Sequence, residues 1–75
     1  MTKYQNLNGN SGVTAYEIGD DFIRVQFTDG GIYLYTNNSS GAEHITEMKQ
    51  LAKDGAGLNT YINQHVRKNY ESAEK

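Results

Sequence analysis

Few residues in this chain have the types and spacing that chemistry needs, and two tyrosines lead them. Tyr33 and Tyr35 flank Leu34, Arg24 lies upstream, and Arg67 and Lys68 stand adjacent near the C-terminal end. Aromatic side chains on a sheet surface can stack nucleic-acid bases, for roughly 1–3 kcal/mol each. Cations beside them neutralise phosphates, and the gain grows with their number. Tyr33, Tyr35, Arg24, Arg67 and Lys68 are therefore the candidate nucleic-acid-binding residues. The same types also serve plain structure. Half-buried tyrosines can cover a sheet, and an Arg-Lys pair can solvate a helix face.

The other reactive types are poorly arranged. His44 and Glu47 share one helical face and Glu43 is near, but His65 falls on another helix. A metal ion needs three or four ligands in defined geometry, so neither a metal site nor a cofactor is expected. His65 reads as a boundary residue whose ring packs on an apolar stripe. Ser11, Ser39, Ser40 and Ser72 lie in loops or tails, outside any Gly-x-Ser-x-Gly elbow. Asp20-Asp21 reads as an exposed turn, and the glycines are dispersed rather than gathered into a phosphate loop. No catalytic residue is expected; the chain reads as a non-enzyme.

Composition narrows the classes further. Seventy-five residues make one domain. A domain this short buries only about 60% of the surface its unfolded chain exposes. There is no cysteine, so disulfides and Cys-based zinc sites are excluded. Seven Lys and Arg against nine Asp and Glu give a net charge of -2, without the basic excess of a dedicated nucleic-acid binder. No apolar run approaches the roughly 20 residues of a membrane helix. Thr2 to Asn6 is polar rather than a secretory segment, so a cytoplasmic location and no membrane partner are expected.

The elements that must position these residues follow from periodicity. Residues 1–12 are rich in Asn and Gly without a period, and read as a flexible N-terminal arm. A period of two then marks three strands: Val13 to Gly19, Phe22 to Thr28 and Gly31 to Thr36. Two-residue loops at Asp20-Asp21 and Asp29-Gly30 would set Ile18 opposite Ile23 and Ile23 opposite Thr36. Tyr16, Val25 and Leu34 then share the inner face, and Tyr33 and Tyr35 lie on the outer face with Arg24 and Gln26. A three-residue Asp29-Gly30-Gly31 loop would shift the last strand by one and place both tyrosines beside Ile23 and Val25. The first register separates apolar from polar residues more cleanly and is favoured.

Two helices follow. Ser40-Gly41-Ala42-Glu43 fits a capping box, Ile45, Met48, Leu51 and Ala52 recur on one helical face, and Gly55 suits a left-handed stop. The second helix begins near Leu58, with Tyr61, Ile62, His65, Val66 and Tyr70 as its apolar stripe. Residues 72–75 read as a frayed tail, leaving 13–71 as the domain. The fold class is α+β: a three-stranded antiparallel β-meander followed by two α-helices packed on the sheet.

Two segments resemble a known family. Ile23-x-Val25-x-Phe27-x-x-Gly30-x-Ile32-Tyr33-x-Tyr35 looks like the centre of the KTSC domain, marked by Tyr-x-Tyr after a strand and a glycine turn. Tyr61-Ile62-Asn63-x-x-Val66-Arg67-x-x-Tyr70 is similar to that family's C-terminal helix. The family is named for the C-terminus of some lysyl-tRNA synthetases, and it also occurs as a stand-alone small bacterial or phage protein. The likeness covers roughly residues 13 to 70 and departs at Asn37 to Ser40, where the family has Val-Pro, and at Ala52 to Gly57, where it has Ala-x-Ser-x-Gly. RNA binding has been suggested for the family. The resemblance thus implies a non-catalytic module that binds RNA through an exposed Tyr-x-Tyr sheet face; the alternative is a protein-interaction or homodimerisation module using the same face.

Overall fold

In the computed structural model, residues 1–7, 9 and 11–74 are described. Asn8 and Asn10 of the expected arm, and Lys75 of the expected tail, lie outside them. The chain runs β1 (Thr2–Lys3), β2 (Val13–Ile18), β3 (Phe22–Phe27), β4 (Ile32–Thr36), α1 (Asn37–Ser40), α2 (Ala42–Asp54), α3 (Leu58–Tyr61) and β5 (Ser72–Glu74). Between α3 and β5, Ile62–Val66 continues the helix with wider, π-type turns. The strands form one antiparallel sheet in the order β1-β2-β3-β4-β5. The α+β class stands, with five strands among the described residues where three were expected.

Both added strands come from segments that lack periodicity. Thr2 and Lys3 pair with Tyr16 and Ala15. Tyr4 follows them into the core at 2% exposure, and its hydroxyl accepts a hydrogen bond from the Leu58 N–H at 3.3 Å. The Leu7 N–H donates to the Gly55 carbonyl at 2.7 Å. The described part of the expected arm is thus docked, because one large ring repays its ordering through burial. At the other end, Ser72 to Glu74 pairs with Leu34 to Ile32 rather than fraying.

The β3–β4 turn overturns the favoured register. Gly30 takes a left-handed φ of 90°, and Phe27 faces Gly31 across a loop of Thr28, Asp29 and Gly30. The Asp29 carboxylate accepts the Gly31 N–H at 2.8 Å and fixes that loop. The extra residue moves β4 by one, so Ile23 pairs with Tyr35, Val25 with Tyr33 and Arg24 with Leu34. A one-residue slip exchanges every side chain between faces. Both tyrosines therefore turn toward the helices, and Leu34 turns away.

The helices cover the face that carries Ile23, Val25 and Tyr35. From α2, Ile45, Met48 and Ala52 pack on it as their spacing predicts, and Gly55 ends the helix at a left-handed φ of 78°. Its start differs. Thr36 and Ser39 form a capping box for α1, α2 is preceded by Gly41, which offers no side-chain cap, and the Ser40 hydroxyl donates instead to the Asn69 carbonyl at 2.8 Å. The cause is the end of β4: the chain turns directly after Thr36, so the earlier hydroxyl pair is used first. In the last helical segment Leu58, Ile62 and Val66 are buried. His65 and Tyr70 leave the expected stripe and are exposed, Tyr70 beyond the helix altogether.

Candidate functional site: an aromatic cleft beside the last helical segment

A residue on β4 and a residue past the last helix meet only because β5 returns to the sheet. The connector that leads from Val66 to β5 is pinned at three points. Ser40 holds the Asn69 carbonyl, the Glu71 N–H donates to the Leu34 carbonyl at 2.6 Å, and the Thr36 hydroxyl donates to the Glu71 carboxylate at 2.9 Å. This path lays Tyr70 against the sheet tyrosines. Its ring stands edge-to-face to Tyr33 with centroids 4.8 Å apart, and to Tyr35 at 6.3 Å. Phe27 also stands edge-to-face to Tyr33, with centroids 5.4 Å apart and planes at 86°. Such perpendicular pairs are favourable beyond the area they bury.

The rings border an open cleft of about 430 Å³, lined also by Asp29, Asn63, Arg67 and Lys68. That size lies within the usual range of small-ligand sites. Four of the five candidate residues, Tyr33, Tyr35, Arg67 and Lys68, come together here. Their roles differ from the expected sheet face. Tyr35 is 1% exposed and forms the floor, so it offers no stacking surface. Burial, with smaller contributions from Tyr33 and Tyr70, pushes its hydroxyl pKa up to about 12. The accessible rings are Tyr33, partly, and Tyr70 at 38% exposure. Arg67 and Lys68 are exposed, and neither forms an ion pair among the described residues.

Arg24 is the candidate that the fold removes. It points to the sheet's open face, where it bonds Glu17 at 2.8 Å and Glu74 through both carboxylate oxygens at 2.9 and 3.0 Å. Those hydrogen bonds, from Glu17 first and Glu74 second, raise its pKa further. Its charge is already matched by protein carboxylates, and it lies on the other side of the sheet from the cleft.

Of the cleft residues outside the candidate set, Phe27 and Tyr70 add aromatic rings and Asp29 adds a carboxylate. The three-residue loop is the signal that could have found Phe27 and Asp29, since it puts both at the Tyr33 end of β4. Tyr70 depends on the return of β5, for which no local pattern exists.

The histidines form a separate surface group. His44 Nδ1 lies 2.7 Å from the Tyr61 hydroxyl, and the His65 ring packs on Tyr61 with centroids 4.4 Å apart. Desolvation, then Glu47 and Glu43, raises the Tyr61 pKa. No set of three or more His, Cys, Asp or Glu among the described residues could hold a metal ion. The group clasps α2 to the π-type segment. No helix among the described residues is long and apolar enough to cross a membrane.

No protein-family model, curated protein or solved structure matches the chain.

Proposed function

We propose that this chain is a non-catalytic, KTSC-like binding module whose cleft takes single-stranded RNA. One observation carries the reading: Tyr33 from β4 and Arg67, Lys68 and Tyr70 from the C-terminal segment, more than thirty residues on, line one open cleft. The accessible rings offer stacking surface and the two cations offer phosphate contacts. Tyr35 supports the cleft from below and does not touch a ligand. Arg24 drops out of the binding set. With only two cations and a net charge of -2 the binding is weak and needs low salt.

Titration of a short single-stranded RNA, followed by NMR at Tyr33 and Tyr70, tests this. Both ring resonances shift, and the logarithm of affinity falls with the logarithm of salt at a slope of about -1.4, as two released counterions on single strands require. Replacing Arg67 and Lys68 together by Gln brings the slope near zero. Silent tyrosine resonances, or affinity indifferent to salt, would remove the reading.

Self-association through the Tyr-x-Tyr face loses support from the burial of Tyr35. A homodimer would have to use the open face instead, where Phe22, Ile32 and Leu34 are half-buried and lie outside the core cluster. Sedimentation of wild type and Leu34→Glu distinguishes this arrangement from a monomer.

A further inference from the structure

A carboxylate is out of place in a cleft that binds phosphate, yet Asp29 lines this one together with Arg67 and Lys68. Its position is defined through Gly31. A side chain at Gly31 would meet Asp29 Oδ1 at 3.1 Å and Tyr33 Cε1 at 3.2 Å, so the carboxylate and the ring border the same space above Gly31. One oxygen of Asp29 accepts the Gly31 N–H. That bond leaves further lone pairs on both oxygens, and no other side chain or backbone donor among the described residues takes them.

Such a group repels a phosphate and accepts hydrogen bonds only. It therefore orients a nucleotide, with the phosphate toward Arg67 and Lys68 and the donor edge of the base toward Asp29. Among the four RNA bases, guanine alone offers two adjacent donors, N1–H and N2–H, on its Watson–Crick edge. That fork matches the two oxygens of a carboxylate as a guanidinium does. Adenine and cytosine each place one amine beside a ring acceptor, and uracil flanks one N–H with two carbonyls. Ring acceptors and carbonyls face the carboxylate with like charge.

We propose that Asp29 makes the cleft selective for guanine, read at its Watson–Crick edge while the base lies against Tyr33 and Tyr70. This rests on the RNA-binding reading of the same cleft. The test uses three tetraribonucleotides, UUGU, UUAU and UUUU, titrated at low salt into the full chain with the Tyr33, Tyr70 and Gly31 resonances followed. UUGU binds about tenfold more tightly than the other two, the discrimination usual for a bidentate base contact. Asp29→Asn keeps the acceptor for the Gly31 N–H but swaps one oxygen for a donor, so the guanine preference disappears and UUAU gains. The Gly31 amide shift reports whether the turn persists; if it does not, Asp29→Ser, which retains a turn-forming hydroxyl, replaces it. Equal affinity for UUGU and UUAU overturns the guanine assignment and leaves the cleft reading in place. A guanine preference that survives the loss of the carboxylate also overturns it. Failure of all three RNAs to move Tyr33 or Tyr70 overturns both.

Discussion

The two faces of the sheet are made by alternate residues of the same strands, yet they have opposite characters. On the covered face Ile23, Val25 and Tyr35 are at most 1% exposed. On the open face Arg24, Gln26, Ile32 and Leu34 stay half-buried, and an arginine with two glutamates ties β2, β3 and β5 together. Apolar content does not separate them, since Leu34 and Ile32 are open while two tyrosines are covered. The turn separates them. One left-handed glycine admits a third loop residue, and β4 is committed to the register that follows.

The largest test of this contrast is truncation on either side. Tyr35→Ala costs about 3–5 kcal/mol, as for other large buried rings, whereas Leu34→Ala costs a fraction of that. Because a domain of this size holds only about 4–11 kcal/mol in total, Tyr35→Ala leaves it close to unfolding in a urea titration. Equal costs would erase the distinction between the faces.

Alkaline titration comes next. Unfolded tyrosine ionises near pH 10, whereas burial holds Tyr35 protonated to about 12. The unfolded state loses its proton first, so stability from this group is intact below pH 10 and is lost as pH rises to 12. The loss is at most about 2 kcal/mol, allowing for screening at the cleft floor. Tyr35→Phe removes this part of the pH dependence, measured as denaturation midpoint against pH.

A smaller effect belongs to the turn. Gly31→Ala places a methyl 3.2 Å from the Tyr33 ring, closer than ordinary contact. The strain costs about 1 kcal/mol, and the Tyr33 and Phe27 ring resonances move while those of Ile23 do not. The smallest effect is on the open face. Arg24→Gln slightly lowers the melting temperature, a difference abolished by high salt, and speeds amide exchange in β5 more than in β3.

The parts legible in the sequence are those that local physics decides. The face of Ile45, Met48 and Ala52 and the stop at Gly55 follow from helical spacing and backbone sterics, and the structure keeps them. The β2–β3 pairing of Ile18 with Ile23 follows from a two-residue turn. The β3–β4 register was open to two solutions because Asp-Gly-Gly supports loops of two or three residues. The cleaner segregation of apolar side chains favoured the wrong one, since amphipathic tyrosines can serve either face. Tyr4 and β5 carry no pattern of their own; their places are set by distant partners, Leu58 and β4. The candidate cleft shares this split. Arg67 and Lys68 were visible as a pair, but their meeting with Tyr33 required the connector that brings Tyr70 back.

That returning strand has a second consequence. Ile32-Tyr33-Leu34-Tyr35-Thr36 is an uncharged, proline-free run of strong strand formers. Such a run, left at a sheet edge, is a template on which other chains add. Ser72-Ala73-Glu74 is too short and too exposed to contribute much to the core. It nevertheless pairs with Ile32, Tyr33 and Leu34 along that edge, and its Glu74 carboxylate, held by Arg24, anchors it there. Three unremarkable residues thus act as a guard against fibril-like growth, and solubility under agitation, rather than folding stability, is the property most sensitive to their loss.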